Sequence, residues 1–273
     1  MSLLIVTVVK NDLVGLQRTE ASIRRQTLRP NWLVITPLDS SLTHEHVSNL
    51  NAEGLVSRFI PDMGNGVYPA MNLAIQESPR SDWLWFLNAG DEFADDNSAE
   101  LVMKYIKESN ARWLYGGNKL GSSEGNILGE NHSPLSFDPR NQLFAKKYVS
   151  HQSAIFENGF LNELGGFREH LKIAADWDLM VRASKISPGQ RIKETTSVFY
   201  MGGLSTLSRR TSNKELLALR KEHLQETCFL KSYMWFVYRE FRNLFVQSFE
   251  YKFSPAADKI RRLRFKLKSR FQH

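Results

Sequence analysis

The sequence predicts an α/β fold, a mostly parallel sheet flanked by helices, followed by a helical C-terminal appendage. Short apolar runs rich in β-branched and aromatic residues alternate with stretches of helical periodicity up to Met201. Residues 3–36 hold a strand, a helix and a second strand, and so short a βαβ unit favours parallel pairing with a right-handed crossover.

The individual elements follow from local pattern. Apolar runs predict strands at residues 3–9, 32–36, 57–60, 83–87, 113–116 and 198–201. Helical stripes and capping residues predict helices at residues 13–26, 69–77, 97–109 and 213–253, and one that opens at Asp176. Residues 117–150 are rich in Gly, Asn, Ser and Pro with little periodicity, which predicts a long loop.

Composition is that of a globular protein with a sizeable core: 273 residues, 42% hydrophobic and 24% charged. The single cysteine, Cys228, excludes an internal disulfide framework and is typical of a reducing compartment. The chain shows neither a signal peptide nor an apolar stretch of transmembrane length, so we expect a cytoplasmic protein.

The net charge of +7 is concentrated at the C-terminal end. Residues 251–273 carry eight basic side chains and one acidic one, whereas residues 1–250 carry 28 of each sign. In residues 259–271, apolar side chains fall on one helical face and basic side chains on the others. This pattern favours an anionic membrane surface. RNA binding and a solvated tail are the alternatives, but no nucleic-acid motif is present, so we expect no nucleic-acid partner.

Acidic and amide side chains follow three of the predicted strands. Asp39 and Asp62 come directly after the second and third strands, and Asn88 and Asp91 follow the run that begins at Trp83. The carboxyl ends of parallel strands share one edge of a sheet, where open α/β folds bind ligands. Taken singly, each of these residues is more often a turn former. No dinucleotide-binding or Walker pattern is present.

Together with later motifs, these residues resemble the family 2 glycosyltransferases, whose GT-A fold is a Rossmann-like, mostly parallel sheet flanked by helices. The resemblance covers residues 1–205. Within the family, the sequence is most similar to bacterial exopolysaccharide enzymes such as those that make colanic acid. It implies a catalytic domain at 1–210 and a C-terminal helical region at 211–273. The motifs are Asn11-Asp12, Asp39-Ser40-Ser41, the segment from Pro61 to Asn72, Phe86 to Asp91, His151-Gln152, Asp176-Trp177-Asp178-Leu179 and Met201 to Thr206.

The resemblance also implies roles for single residues. Asp176 corresponds to the catalytic base, and Asp91 to the ligand of a divalent metal, Mn²⁺ or Mg²⁺. Contacts to a nucleotide-sugar donor are implied for Thr7, Asn11, Asp39, Asp62, Asn65, Asn72 and Asn88. Contacts to the acceptor or the diphosphate are implied for His151, Gln152 and Trp177.

The implied function is inverting sugar transfer to a glycan or lipid-linked acceptor in bacterial surface-polysaccharide synthesis, by a cytoplasmic enzyme peripheral on the inner membrane face. Three positions, in two motifs, depart from the family pattern. Asn88 and Gly90 stand where the metal motif often has acids, and Pro69 stands where relatives often carry Asp. The sparse metal motif keeps open the alternative of a non-catalytic relative that only binds a nucleotide sugar or glycan. Asp176 and Asp91 also have simpler interpretations, as N-caps of the helices near them.

Overall fold

A computed structural model describes residues 2–122, 124–200, 209–224, 233–235 and 237–238 of the chain. The strands are β1 (Leu3–Val8), β2 (Asn31–Pro37), β3 (Arg58–Asp62), β4 (Trp83–Phe86), β5 (Glu92–Phe93), β6 (Trp113–Gly121), β7 (Ile127–Asn131), β8 (Ala154–Glu157) and β9 (Gln190–Tyr200). The helices are α1 (Leu13–Arg24), α2 (Ser41–Ala52), α3 (Val67–Glu77), α4 (Ser98–Glu108), α5 (Pro139–Leu143), α6 (Asn158–Glu163), α7 (Ala175–Ile186) and α8 (Arg209–His223), with a 3₁₀ turn at His151–Ser153.

The strands form one mixed sheet in the order β3-β2-β1-β4-β8-β6-β9-β5, and β7 pairs with β6. The first four strands of this order are parallel to one another. β8 is antiparallel to both of its neighbours, β4 and β6. The predicted α/β class and its parallel βαβ start are therefore confirmed.

Helices cover both faces of the sheet because its central strands are apolar on both sides. Along β1 and β2, residues alternate between two cores: Ile5 and Trp32 pack with α1, α2 and α4, whereas Val6 and Leu33 pack with α3, α7 and α8. The result is a three-layer arrangement in which the loops at the carboxyl edge of β1–β4 lie between the two helical layers.

The prediction of one long loop at residues 117–150 is wrong. β6 continues to Gly121, β7 pairs with it as a hairpin, and α5 follows. The glycines that concealed this strand are required by it, since a Cβ at Gly116 would lie 2.7 Å from the Thr196 side chain of β9. β9 likewise begins at Gln190 rather than residue 198, and α2 and α6 were not predicted.

The first part of the C-terminal region packs against the sheet-bearing part of the chain. Leu216 and Leu219 of α8 are buried in the same core as α3 and α7. Most of the rest of the predicted 213–253 helix, the 255–273 tail, Cys228 and the motif from Met201 to Thr206 lie outside the described residues. None of the helices in the described ranges combines the length and the apolarity needed to cross a bilayer.

Candidate active site

Asp39 and Asp62 lie next to each other at the carboxyl edge of the sheet. Pro37 of β2 is in register with Asp62 of β3, and Asp39 is exposed in the turn that follows. The Asp62 Oδ2 atom accepts a hydrogen bond from the Gly64 N–H at 3.1 Å. Its Oδ1 atom is buried and finds no hydrogen-bond partner among the described residues. The structure thus leaves one carboxylate oxygen here for a ligand.

Two loops beside this pair, after β1 and after β3, each expose an asparagine side chain. Asn11 is exposed with φ of 53°, and Asp12 caps α1 by accepting from the Gly15 N–H at 2.8 Å. Asn65 is exposed between two glycines, of which Gly66 has φ of 125°. Asn11 and Asn65 therefore both lie on the exposed edge where the resemblance implies a donor.

The loop after β4 is fixed to α1 by a buried threonine. The Thr19 hydroxyl lies 2.8 Å from the Asp91 carbonyl and accepts from the Gly90 N–H at 3.1 Å. The Gly90 N–H also donates to the Gly15 carbonyl at 2.9 Å, and φ of 95° at Gly90 suits a residue without a side chain. The position of Asp91 is therefore set by α1 as well as by β4.

Asp91 is only 5% exposed, and its carboxyl is hydrogen-bonded to the Gln152 side chain and the Asn88 N–H. Burial raises the pKa of Asp91 to about 8, although these hydrogen bonds favour the charged form. The Asn88 Oδ1 atom is buried too and lacks a hydrogen-bond partner in the described part of the chain.

The side chain of Glu92, next to Asp91, does not join this group and is paired with Arg25, at 3.4 Å. The alternative that Asp91 is a helix cap is wrong, since α4 begins after Asn97.

The antiparallel direction of β8 brings His151 and Gln152 to this loop. Residues that precede an antiparallel strand lie beside the carboxyl end of its neighbour, here β4. The Trp85 indole N–H donates to the Gln152 carbonyl at 2.7 Å, and the Ser150 hydroxyl donates to Gln152 Oε1 at 2.7 Å. The Gln152 side chain is thus held on both sides, by Ser150 and by Asp91.

His151 stacks on Phe86, with ring centroids 5.8 Å apart, and meets the edge of Phe167 at 5.9 Å. Burial lowers the pKa of His151 to about 4, so its imidazole is neutral at physiological pH. Its Nε2 atom is buried, with no hydrogen-bond partner in the ranges that the structure describes. The prediction that this histidine faces a ligand is consistent with such an open nitrogen.

Asp176 lies in the first turn of α7, half-buried beside Tyr68 of α3. The Tyr68 hydroxyl is 3.2 Å from Asp176 Oδ1 and donates to the Ile173 carbonyl at 2.7 Å. Burial raises the pKa of Asp176 to about 7, against the hydrogen bonds from the Trp177 N–H and Tyr68 that lower it. The alternative that Asp176 is the N-cap is wrong, since Ala174 holds that position.

An aromatic cluster connects the two carboxyl groups. The Phe167 ring stacks on Tyr68 at 5.6 Å and contacts His151 on another side. Trp177, next to Asp176, stacks on Tyr148 at 5.5 Å. Tyr68 and Trp177 lie beside Asp176, and burial is the main cause of its raised pKa.

Two of the predicted donor residues have structural partners instead. The Thr7 side chain is fully buried; its hydroxyl donates to the Leu87 carbonyl at 2.7 Å and accepts from the Trp32 indole N–H at 2.9 Å. The Asn72 amide spans the backbone of Phe167, accepting from its N–H and donating to its carbonyl, both at 2.8 Å. Both side chains therefore stabilise the protein structure around the candidate site by hydrogen bonding within it.

A cluster of Asp178, Glu222 and His223 brings three possible metal-ligand atoms together. Asp178 is fully buried, and its carboxylate accepts from Arg182 Nε and His223 Nε2, both at 2.7 Å. Burial would raise the pKa of Asp178, but the His223 hydrogen bond and the charges of Arg182 and Arg168 outweigh it and lower the pKa. Because two arginines already neutralise Asp178, we interpret this cluster as a structural link between α7 and α8.

Sequence reasoning missed the supporting residues. Thr19 lies in the core-facing stripe of α1 with Leu16 and Ile23. A polar residue in an otherwise apolar stripe was the one feature of the sequence that could have indicated its role. Tyr68 lies within a quoted motif, but nothing local shows that its hydroxyl reaches Asp176. Such contacts depend on how α3 and α7 pack, which sequence spacing does not reveal.

The chain is similar in sequence to mycobacterial glycosyltransferases, although no protein-family model matches it. An uncharacterized glycosyltransferase of Mycobacterium tuberculosis is 28% identical over 186 residues, which are 67% of this chain and 68% of that one. A "PGL/p-HBAD biosynthesis glycosyltransferase" of Mycobacterium bovis is 29% identical over 163 residues, 59% of this chain and 61% of the relative.

Solved structures show where the architecture recurs. Staphylococcus aureus TarS 1–349 in complex with UDP superposes with a TM-score of 0.61 at 14% identity, covering 80% of this chain and 64% of that one. The mannosyltransferase PcManGT of Pyrobaculum calidifontis, with GDP-Man and Mn²⁺, gives 0.60 at 11% identity over 98% of this chain and 84% of that one. The fold is that of the GT-A glycosyltransferases.

The predicted resemblance to GT-A glycosyltransferases is therefore confirmed at the level of fold and of named relatives. The finer likeness to colanic-acid enzymes stays a prediction. This chain spans less than two thirds of the TarS chain, at 64%, and of the M. bovis relative, at 61%.

Replacing Thr7 with valine tests whether its hydroxyl is structural. The T7V variant should lose about 1–3 kcal/mol of unfolding free energy, because the Leu87 carbonyl and the Trp32 indole would be left buried and unpaired. Urea denaturation measures this. The matched control is Thr36→Val on β2, since the Thr36 hydroxyl is equally buried but finds no partner in the described ranges. Equal midpoints for T7V and T36V would contradict the structural role.

Proposed function

We propose that the protein is an inverting glycosyltransferase that moves a sugar from a nucleoside-diphosphate donor to a hydroxyl of a glycan or lipid-linked acceptor. Glycosyltransferase activity is supported by the named relatives and by the fold. The observation that carries the proposal is Asp176, a carboxyl in the first turn of α7 that contacts the Tyr68 hydroxyl and whose pKa burial raises to about 7. A general base works best when its pKa lies near the working pH.

In the proposed reaction, Asp176 removes the proton of the acceptor hydroxyl while that oxygen attacks the anomeric carbon. The bond between this carbon and the donor diphosphate breaks at the same time, and the nucleoside diphosphate leaves with the bonding electrons. The Tyr68 hydroxyl, 3.2 Å from Asp176 Oδ1, orients the carboxylate. One base and one displacement imply inversion at the anomeric carbon.

Asp91 and Asn88 are the residues that would hold a divalent cation. Their oxygens are the hard donors that Mg²⁺ or Mn²⁺ accepts, and the Asn88 Oδ1 atom is buried without a partner in the described residues. The remaining ligands would be diphosphate oxygens and water. A bound cation supplies charge to stabilise the departing diphosphate. GT-A neighbours were solved with Mn²⁺, namely PcManGT and GalNAc-T7.

The donor would lie along the carboxyl edge, with its nucleoside near Asp39 and Asp62 and its diphosphate near Asn88 and Asp91. The free Asp62 Oδ1 atom can accept from a ribose hydroxyl or a base N–H. Asn11 and Asn65 border the same edge. The neighbours' structures contain UDP, UDP-GlcNAc or GDP-Man, which makes uridine and guanosine nucleotides the first to test.

The acceptor would approach from the side of His151 and Trp177, next to Asp176. The stack of Trp177 on Tyr148 presents an aromatic surface there. Relatives named for PGL/p-HBAD biosynthesis support a role in making bacterial glycoconjugates. A lipid-linked acceptor would also explain the basic segment 255–273, with a net charge of +6, as a peripheral attachment to anionic lipid.

The donor nucleotide and the metal can be tested together by thermal shift. We expect UDP or GDP with Mn²⁺ to stabilise the protein by about 2.7 kcal/mol at 100 times its Kd, and less without Mn²⁺. Asp91→Ala should remove the Mn²⁺-dependent part. Glu92→Gln is the matched control, because Glu92 pairs with Arg25 and should leave that part intact. An unchanged Mn²⁺ effect in D91A would overturn the metal assignment.

The pH dependence of donor turnover tests Asp176. Since its pKa is about 7, the carboxyl is protonated and inactive as a base below that pH, so kcat should rise as pH increases and level off above 7. Asp176→Asn should lower kcat by about 10²–10⁴-fold, whereas Asp96→Asn at the surface should not. The assay measures nucleotide release from UDP- and GDP-sugars. Binding without any turnover in the wild type would favour a non-catalytic relative.

Deleting residues 255–273 tests membrane attachment. The full chain should bind vesicles that contain phosphatidylserine, and added salt should weaken this binding, because each basic residue near the surface contributes about 1 kcal/mol. The deletion variant should sediment no better with these vesicles than with neutral phosphatidylcholine ones. Full retention of binding by the variant would rule out the segment as the anchor.

A further inference from the structure

The turn that leads into α7 is held by a residue from α8. The N-cap of α7, Ala174, has no side chain that could accept a hydrogen bond from the first turn. Instead, the carboxylate of Glu215 accepts from three successive backbone N–H groups, those of Lys172, Ile173 and Ala174, at 2.7, 3.0 and 2.9 Å. A carboxylate at a helix start satisfies unpaired N–H groups and complements the helix dipole.

The same turn also determines where Asp176 points. The carbonyl of Ile173 accepts from the Tyr68 hydroxyl at 2.7 Å, and that hydroxyl lies 3.2 Å from Asp176 Oδ1. Glu215 binds the N–H of Ile173, so one peptide segment lies between the Glu215 carboxylate and the Tyr68–Asp176 pair. A shift of this turn would move both the partner and the backbone of Asp176.

Glu215 is held in place because the part of α8 that follows it is anchored to the rest of the protein. Leu216 and Leu219 are buried in the core. At the end of the helix, His223 Nε2 donates to the Asp178 carboxylate at 2.7 Å, and Glu222 accepts from Arg168 at 2.7 Å. The carboxylate therefore reaches residues 172–174 from a fixed support.

We propose that Glu215 is a positioning residue for Asp176: by binding the three N–H groups before α7, it sets the orientation of the general base. This inference rests on the proposed function. Glu215 lies outside the motifs that carry the family resemblance, and it acts through the backbone rather than on the substrate.

The negative charge of Glu215 gives the proposed positioning role a measurable effect on the titration of Asp176, which a contact that only stabilises the fold would not have. Among the described residues, the titratable groups that face Asp176 are the Tyr68 hydroxyl from α3 and Glu215 from α8. The negative charge of Glu215 contributes to the raised pKa of Asp176, after the larger effect of burial. Neutralising Glu215 should therefore move the titration of Asp176 to lower pH.

The experiment compares the full-length wild type with three variants. Glu215→Gln removes the charge, and Glu215→Asp keeps the charge but draws the carboxylate back from the turn. Glu222→Gln is the matched control on α8, since Glu222 pairs with Arg168 rather than with the turn. Carbon-13 NMR of labelled aspartate follows the Asp176 carboxyl, which Asp176→Asn identifies, and nucleotide release from UDP- and GDP-sugars gives kcat and KM.

We expect kcat to fall about 10- to 100-fold in E215Q and E215D with donor KM little changed, because small misplacements of a catalytic group have effects of this size. The Asp176 titration should move to lower pH in E215Q but not in E222Q. Unchanged titration and kcat in folded E215Q would overturn the proposal. If the titration moves but the wild type turns over no nucleotide sugar, the coupling between Glu215 and Asp176 stands and the proposed function fails.

Discussion

The site depends on keeping two carboxyl groups away from water at the edge of a sheet. Asp91 and Asp176 both have raised pKa values, about 8 and about 7, and burial is the main cause for each. A carboxylate that is poorly hydrated interacts strongly with whatever charge or proton comes next to it. The Asp91 loop is bonded to Thr19 of α1, and Asp176 lies beside Tyr68 of α3, so both pKa values depend on how the helices pack on the sheet.

Much of the candidate site at the carboxyl edge of β1–β4 was predictable, because parallel strands have a simple geometry. Once β1–β4 are recognised as parallel, Asp39, Asp62 and Asp91 must share one edge. Apolar runs bounded by turn residues are enough to find these strands, and the order of the motifs along the chain is enough to suggest the fold.

The part of the candidate site formed around β6, β8 and β9 was less predictable, for physical reasons. Residues 117–150 look irregular because β6 contains glycines that allow close approach to β9, so periodicity gave no sign of a strand. The direction of β8, which brings Gln152 to Asp91, depends on non-local pairing with β4 and β6. The resemblance implied donor contacts for Thr7 and Asn72, whereas the Thr7 hydroxyl bonds to Leu87 and Trp32 and the Asn72 amide bonds to the Phe167 backbone.

The burial of α8 has a consequence for exchanging parts between related enzymes. Its leucines complete the core beneath the sheet, and its carboxylates reach residues 172–174 and Arg168. A chimera that joins the first 210 residues to the C-terminal half of a related protein would therefore support its own α7 with a helix from that other protein. The useful joint for such a chimera lies beyond His223, so that α7 and α8 are inherited as one unit.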